Sequence, residues 1–285
     1  MKVVDSISAL RSTVNAWRRN GETVGFVPTM GNLHDGHLKL VKKAKAHNDK
    51  VVVSIFVNPM QFGANEDLDA YPRTIEEDKA KLISVGADAV FLPSVAEMYP
   101  AGLDAQTFVE VPGISDSHCG ASRPGHFRGV ATVVTKLFNM VQPDDAFFGE
   151  KDFQQLQVIR ALARDLSMAV KVHGVPTERE TSGLAMSSRN GYLTDTEKAT
   201  ASAIFAEMQR LKADIESGNT DFVQLENAMV SNLEAKGFKK DYCQVVNAAT
   251  FEPASDSDKE LVLLVAMFMG KTCLIVNMQV TRDYA

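Results

Sequence analysis

Two of the chain's six histidines stand three residues apart in Pro28-Thr29-Met30-Gly31-Asn32-Leu33-His34-Asp35-Gly36-His37. Imidazoles at that spacing can aim ring N–H groups at one set of oxygens, and Gly36 leaves room for close backbone approach. The stretch leaves an apolar run, turns and opens a helical pattern. A helix N-terminus presents unpaired N–H donors and the positive end of a dipole. Phosphate is the ligand those features suit. Taken alone, the pair reads equally as two surface histidines on a loop, the commoner origin of so short a motif. The strand–turn–helix setting reverses that preference.

Four more segments carry candidate chemistry. Phe148-Gly149-Glu150-Lys151-Asp152-Phe153-Gln154-Gln155 again joins a strand pattern to a helix. Lys151 offers charge for phosphate, whereas Asp152 and Gln155 fit a capping box as well as a ligand site. In Gly183-Leu184-Ala185-Met186-Ser187-Ser188-Arg189-Asn190, two hydroxyls precede a guanidinium on an expected mobile loop. That set suits a pyrophosphate leaving group, with Arg189 stabilising developing charge; in isolation it is simply a polar loop. Gln61, in Asn58-Pro59-Met60-Gln61-Phe62, ends a strand pattern and should face the same crevice. The cations of Ser122-Arg123-Pro124-Gly125-His126-Phe127-Arg128-Gly129 could draw a carboxylate, although Arg128 alone reads better as a solvated loop residue.

The elements that must position these residues are legible as periodicity. Residues 23–28, 50–57, 88–92, 146–148 and 168–175 read as buried strands, and 36–48, 74–85, 128–142 and 153–166 as helices between them. In the clearest helix, Val130, Val133, Val134, Leu137, Phe138 and Val141 form one apolar stripe, and Pro143 ends it. Such alternation calls for a parallel sheet with right-handed crossovers, a doubly wound, Rossmann-like α/β domain over residues 1–175. From 176 to 285 the pattern changes to helices at 194–217 and 221–236, then strands at 242–247, 261–267 and 272–278. This is a smaller α+β domain expected to cover the site.

Bulk properties narrow the function class. With 285 residues, 45% of them hydrophobic, the chain can bury two cores. A net charge of −6 argues against non-specific nucleic-acid binding. Cys119, Cys243 and Cys273 have no metal-ligand spacing and read as reduced thiols; Cys119 is more readily a passive thiol than a reactive one. No apolar leader is seen, and the most apolar stretch, 261–269, is too short to span a bilayer. A cytoplasmic protein without membrane partners is expected. Gly270-Lys271-Thr272 looks like the end of a P-loop, but Val265 stands where the first glycine is required. Zinc-protease and serine-hydrolase patterns are missing.

Taken together, the segments resemble the pantothenate synthetase family. Its PTMGxLHxGH, NPxQF, YPRT, PGHFxGVxTVVxKLF, FGxKDxQQ and MSSRN motifs are matched in order from Pro28 to Asn190. The resemblance implies ATP-dependent joining of pantoate to β-alanine in coenzyme A synthesis, with Mg2+ accompanying ATP, in a homodimer. By the same match, Met30, Gly31, Asn32, Leu33, His34, Asp35, Gly36 and His37 contact ATP. So do Gly149, Glu150, Lys151 and Asp152, then Glu178, Met186, Ser187, Ser188 and Arg189. His34, His37, Lys151 and Arg189 are the expected catalytic residues, and Gln61 and Gln155 hold pantoate, with β-alanine near Gln61. Glu178 departs from an often apolar position; it matters if its side chain packs on adenine and not if the backbone binds there.

Under this reading the pantoate carboxylate attacks the α-phosphorus of ATP and the β-alanine amine attacks the resulting adenylate. Catalysis is then positioning and electrostatics, with His37 near an ordinary pKa of ~6.5 able to donate or accept. The metal ligands are not specified by the sequence. Asp78 is a candidate, and a solvated helix face explains it equally well. Rival readings are another HxGH nucleotidyl transferase with a phosphorylated acceptor, and a nucleotide sensor with an idle site.

Overall fold

The structure is a computed structural model and describes residues 1–64 and 66–282. The chain divides into two compact units, Met1–Pro176 and Thr177–Ala285.

The first unit is built on six parallel strands: β1 (Lys2–Val4), β2 (Val24–Thr29), β3 (Lys50–Ile55), β4 (Ala89–Phe91), β5 (Asp145–Gly149) and β6 (Lys171–Val175). Their spatial order is β1-β4-β3-β2-β5-β6. The continuous apolar runs follow from burial on both faces: Val51, Val52 and Val53 are all fully enclosed. The helices are α1 (Ile7–Arg19), α2 (Asp35–His47), α3 (Ile75–Ser84), the short α4 (Val95–Met98) and α5 (Cys119–Ser122), α6 (His126–Val141) and α7 (Phe153–Asp165). Helix α2 contacts α3, while α6 contacts both α1 and α7, the two helical layers of a doubly wound sheet. The apolar stripe of α6 is buried as its spacing requires. The helix opens after Gly125 at φ 81° and closes at Gln142, which takes φ 51° just before Pro143.

Strand β2 is the pivot of this order. It pairs with β3 from Val24 to Thr29 on one side, and with β5 at Gly25 and Phe26 on the other. Pro28, which has no N–H to give, lies beyond the β5 pairing. The chain winds outward from β2 through β3 to β4, then returns to add β5 on the opposite side. The carboxyl ends of β2 and β5 therefore flank a topological switch point, the crevice where ligands of such sheets bind.

The second unit has its own core. Helices α8 (Asp195–Ala201), α9 (Ala203–Glu216) and α10 (Phe222–Glu234) precede an antiparallel sheet β7-β8-β9 (Lys239–Asn247, Glu260–Met269, Thr272–Thr281). Met208, Leu211, Ile215 and Met229 from the helices are enclosed with Leu263, Val265 and Met267 from β8. The single helix expected over 194–217 is two helices meeting at Ser202. There the Ser202 hydroxyl donates to the Ala199 carbonyl at 2.7 Å, competing with the helical ladder. The sequence reading also began at residue 23 and passed over β1 and α1. Strand β1 is too short to show a period, and α1 has only three buried side chains.

Candidate active site

Between β2 and α2 the backbone makes two consecutive left-handed residues, Gly31 at φ 85° and Asn32 at φ 50°. Asn32 is among the few side chains that tolerate this region. A Cβ on Gly31 would come within 2.9 Å of Ile55 Cγ2 and 3.2 Å of Asp78 Oδ2. The loop is held from α3. The two Asp78 oxygens accept from the Asn32 N–H at 2.9 Å and the Leu33 N–H at 2.7 Å, and Lys81 Nζ, one turn on, donates to the Leu33 carbonyl at 2.7 Å. Asp78 is fully buried. It is thus not a solvated helix residue: its carboxylate holds the loop.

This clamp delivers both histidines to the start of α2. His34 takes the N-cap position and His37 the third helical one, with ring centroids 4.1 Å apart. The His34 N–H donates to His37 Nδ1 at 3.3 Å, so the neutral His37 ring carries its proton on Nε2. His34 Nδ1 is buried without a hydrogen-bond partner among the described residues. Burial, with Lys151 adding to it, depresses the His34 pKa to about 4; burial, then His34, takes His37 down to about 3. The expectation of an ordinary pKa near 6.5 is therefore corrected. Both rings are neutral at pH 7, because their partial removal from water disfavours the charged form.

The same electrostatics bring in the β5–α7 turn, since Lys151 and Asp152 both act on His34 and His37. Gly149 ends β5, and Glu150–Asp152 form a single 3-10 turn before α7. Lys151 Nζ lies 3.4 Å from Asp152 Oδ1. Asp152 does occupy the N-cap of α7, but its side chain makes no capping hydrogen bond, so the capping-box alternative for Asp152 and Gln155 is not realised. The neighbouring glutamines differ. Gln154 is buried and ties down the 114–119 segment, accepting from the Cys119 N–H and donating to the carbonyls of Ile114 and Ser117. Gln155 is half-buried on the first turn of α7.

Gln61 closes a 3-10 turn after β3, and its amide nitrogen points to Met30 Sδ at 3.3 Å. Its main-chain carbonyl accepts from His126 Nδ1 at 2.9 Å and from Arg123 Nη2 at 3.3 Å. The cations expected to draw a substrate carboxylate have internal partners. Arg123 is paired with Glu66, and Arg128 lies 3.5 Å from Glu110 and over the Phe108 ring. Burial alone would raise the Glu66 pKa, but Arg123 holds it below the usual range. Gly129 lets α6 approach: a Cβ there would sit 2.5 Å from the Met60 carbonyl oxygen and 2.7 Å from Gln61 N. Cys119 is buried.

In the second unit, residues 178–190 fold back on themselves. Met186 N–H donates to the Glu178 carbonyl at 2.9 Å, and Arg179 bridges Ala185. Arg179 stacks over Phe205 at 4.1 Å, while Asn190 Nδ2 reaches Glu180 and the Ala185 carbonyl. The Ser187 hydroxyl accepts from Arg189 N–H at 3.2 Å, opening the 3-10 turn Ser188–Tyr192. A glycine is required at 183, where φ is 88° and a Cβ would lie 2.6 Å from Phe205. The segment is held by hydrogen bonds of its own turn.

Sequence reasoning missed Asn58, Lys81 and Tyr99 and did not foresee what Asp78 holds. Asn58 reaches the Gly129 carbonyl, Lys81 and Asp78 the main chain of Leu33, and Tyr99 the side chain of Asn58, contacts between residues 41 or more apart, where no motif spacing registers. Among the described residues, no helix is long and apolar enough to cross a membrane.

A parallel sheet that delivers a paired-histidine turn and a lysine turn to one switch point defines an α/β enzyme of the HxGH, nucleotide-using class. The model of the Pantoate-beta-alanine ligase family matches residues 2–279. The chain belongs to the pantoate–β-alanine ligase family. It is 89% identical to the pantothenate synthetase of Alteromonas mediterranea across 99% of this chain and all of that one, and 56% identical to that of Marinobacter nauticus with the same coverage. Among solved structures, pantothenate synthetase from Thermus thermophilus superposes with a TM-score of 0.91 at 44% identity, covering 98% of this chain and 99% of the other. The Francisella tularensis ligase, solved with beta-gamma ATP and β-alanine, gives 0.83 at 34% identity, covering 100% and 99%.

Proposed function

We propose that this chain condenses pantoate with β-alanine, using ATP and releasing AMP and pyrophosphate, through a pantoyl-adenylate intermediate. The observation that carries the reading is the pair of neutral histidines on the N-terminus of α2 beside Lys151, with His34 Nδ1 buried and unpartnered. Full-length similarity to pantothenate synthetases supports the choice of substrates.

A carboxylate resists attack by an amine because oxide would have to leave. Attack of the pantoate carboxylate on the α-phosphorus of ATP forms a C–O–P anhydride and expels pyrophosphate. The β-alanine amine then adds to the acyl carbon, AMP leaves with the former carboxylate oxygen, and the ammonium proton passes to solvent. In this reading His37 Nε2–H and the His34 ring donate to phosphate oxygens, and Lys151 supplies the full charge. Ser187, Ser188 and Arg189 hold the departing pyrophosphate. Main-chain groups of Met30 to Gly36, Gly149 to Asp152, Glu178 and Met186 contact the nucleotide. The Glu178 carbonyl accepts from Met186 N–H, which sets the course of the backbone at this position. Gln61 and Gln155 hold pantoate.

Among the described residues, no group of three or more His, Cys, Asp or Glu side chains is arranged to hold a metal. Mg2+ therefore fits best as the companion of the ATP phosphates, which supply its ligands and whose charge it offsets. A cytoplasmic homodimer completes the proposal by family resemblance.

The test is pyrophosphate release from ATP and Mg2+ with pantoate, with and without β-alanine. Pantoate-dependent release, with AMP and sustained turnover only when β-alanine is added, is the expected result. No pantoate-dependent release from folded protein that binds ATP would overturn it.

A further inference from the structure

Gln61 is one of two groups assigned above to pantoate, and which end of its amide meets the substrate is decided by Asn58 of the same motif together with residues far from it in sequence. The chain of assignments starts at Asn58, which is 1% exposed. Its two amide ends are fixed by the main chain: Met60 N–H donates to one at 3.3 Å, which must be Oδ1, and the Gly129 carbonyl accepts from the other at 3.2 Å, which must be Nδ2. The second Asn58 N–H then reaches Gln61 at 3.1 Å, so the near atom of Gln61 is Oε1. Its far atom, Nε2, faces Met30 Sδ, a weak acceptor. Asn58 Oδ1 takes a further hydrogen bond from the Tyr99 hydroxyl at 2.7 Å. Tyr99 is itself buried, and burial pushes its pKa up beyond the ordinary phenol range, so it remains a donor.

We infer that Tyr99 is a positioning residue for pantoate: its hydroxyl reinforces the orientation that the main chain gives the Asn58 amide, and so tightens the hold by which Gln61 presents only N–H to the substrate. The inference rests on the assignment of Gln61 to pantoate. The ring of Tyr99 lies beside Phe56 and under Lys136 Nζ, and a phenylalanine keeps both contacts, so the hydroxyl can be tested alone. Met30 occupies the Gln61 donor until an oxygen of the substrate, a better acceptor, displaces it. An unlocked amide can turn its carbonyl toward that oxygen, and each molecule so turned is lost to binding.

The experiment compares wild type, Tyr99→Phe, Gln61→Ala and the double variant in the full-length enzyme. It measures KM for pantoate, KM for ATP, kcat and Tm. Tyr99→Phe should raise the pantoate KM about tenfold, the size expected when one buried hydrogen bond is lost. KM for ATP should change less than twofold. In the Gln61→Ala background the same substitution should do nothing further to the pantoate KM, because its target is gone. A pantoate KM unchanged in Tyr99→Phe, or an equal loss with and without Gln61, would overturn the inference alone. An unchanged pantoate KM in Gln61→Ala would overturn the reading of Gln61 and the inference with it. A fall in Tm with KM values unmoved would show Tyr99 to be structural only and would also overturn it.

Discussion

His34 and His37 act, on this account, as neutral donors, and that has a measurable sign. In the unfolded chain each histidine takes up a proton near pH ~6.5, whereas in the folded protein they do so only at about 4 and about 3. Between those values the unfolded state binds more protons, so their contribution to stability is full above pH ~6.5 and falls as pH drops toward 4. The urea midpoint of the wild type should therefore fall more between pH 7 and pH 5 than that of the double variant His34→Gln/His37→Gln. Equal falls would mean the rings are not held neutral. For catalysis, His37→Ala should lower kcat by about 100-fold, the usual effect of losing one placed donor to developing charge; near-normal turnover would remove His37 from the mechanism. Asp78→Asn keeps shape but turns one oxygen into a donor facing a backbone N–H. It should cost roughly 1–3 kcal/mol of stability and raise KM for ATP, readable by denaturation and initial rates. Unchanged values would show that the loop holds itself.

At the scale of elements, close approach matters more than any single bond. Gly129→Ala places a methyl 2.5 Å from the Met60 oxygen, so the Gln61 turn must move away from α6. Overpacking of that kind destabilises by about 1–3 kcal/mol, and the pantoate KM should rise with it. A variant with wild-type Tm and KM would mean that α6 does not set the turn. The sequence made α6 legible because its stripe runs unbroken for about three turns, and it made the His34–His37 turn legible because strand, turn and helix follow directly. Asp78 was not legible. Its periodicity is that of an ordinary helix, and what it binds is the main chain of a loop 45 residues earlier. Asp152 and Gln155 have capping-box spacing, yet Asp152 ends the 3-10 turn before α7 and its side chain makes no capping hydrogen bond.

For the whole molecule, the relevant fact is that the proposed ATP contacts are divided between two units, each with its own core. A fragment of residues 1–176 should keep the far-ultraviolet signature of the α/β sheet but release no pyrophosphate with pantoate, because Ser187, Ser188 and Arg189 are gone. Full activity of the fragment would dissociate those residues from the reaction.

The strand order also sets a timetable. Val24 N–H is bonded to the carboxylate of Asp144, and Asp144 N–H returns a bond to the Val24 carbonyl, across 120 residues of chain. During synthesis at roughly 5–20 residues per second, β2 and its histidine turn exist for about 6–24 seconds before the strand that forms the other wall is made. Through that interval β2 has β3 on one side and an open hydrogen-bonding edge on the other. The crevice between β2 and β5 thus cannot close until about half of the chain has been made, and the edge that will carry it is the one a chaperone has most reason to shield.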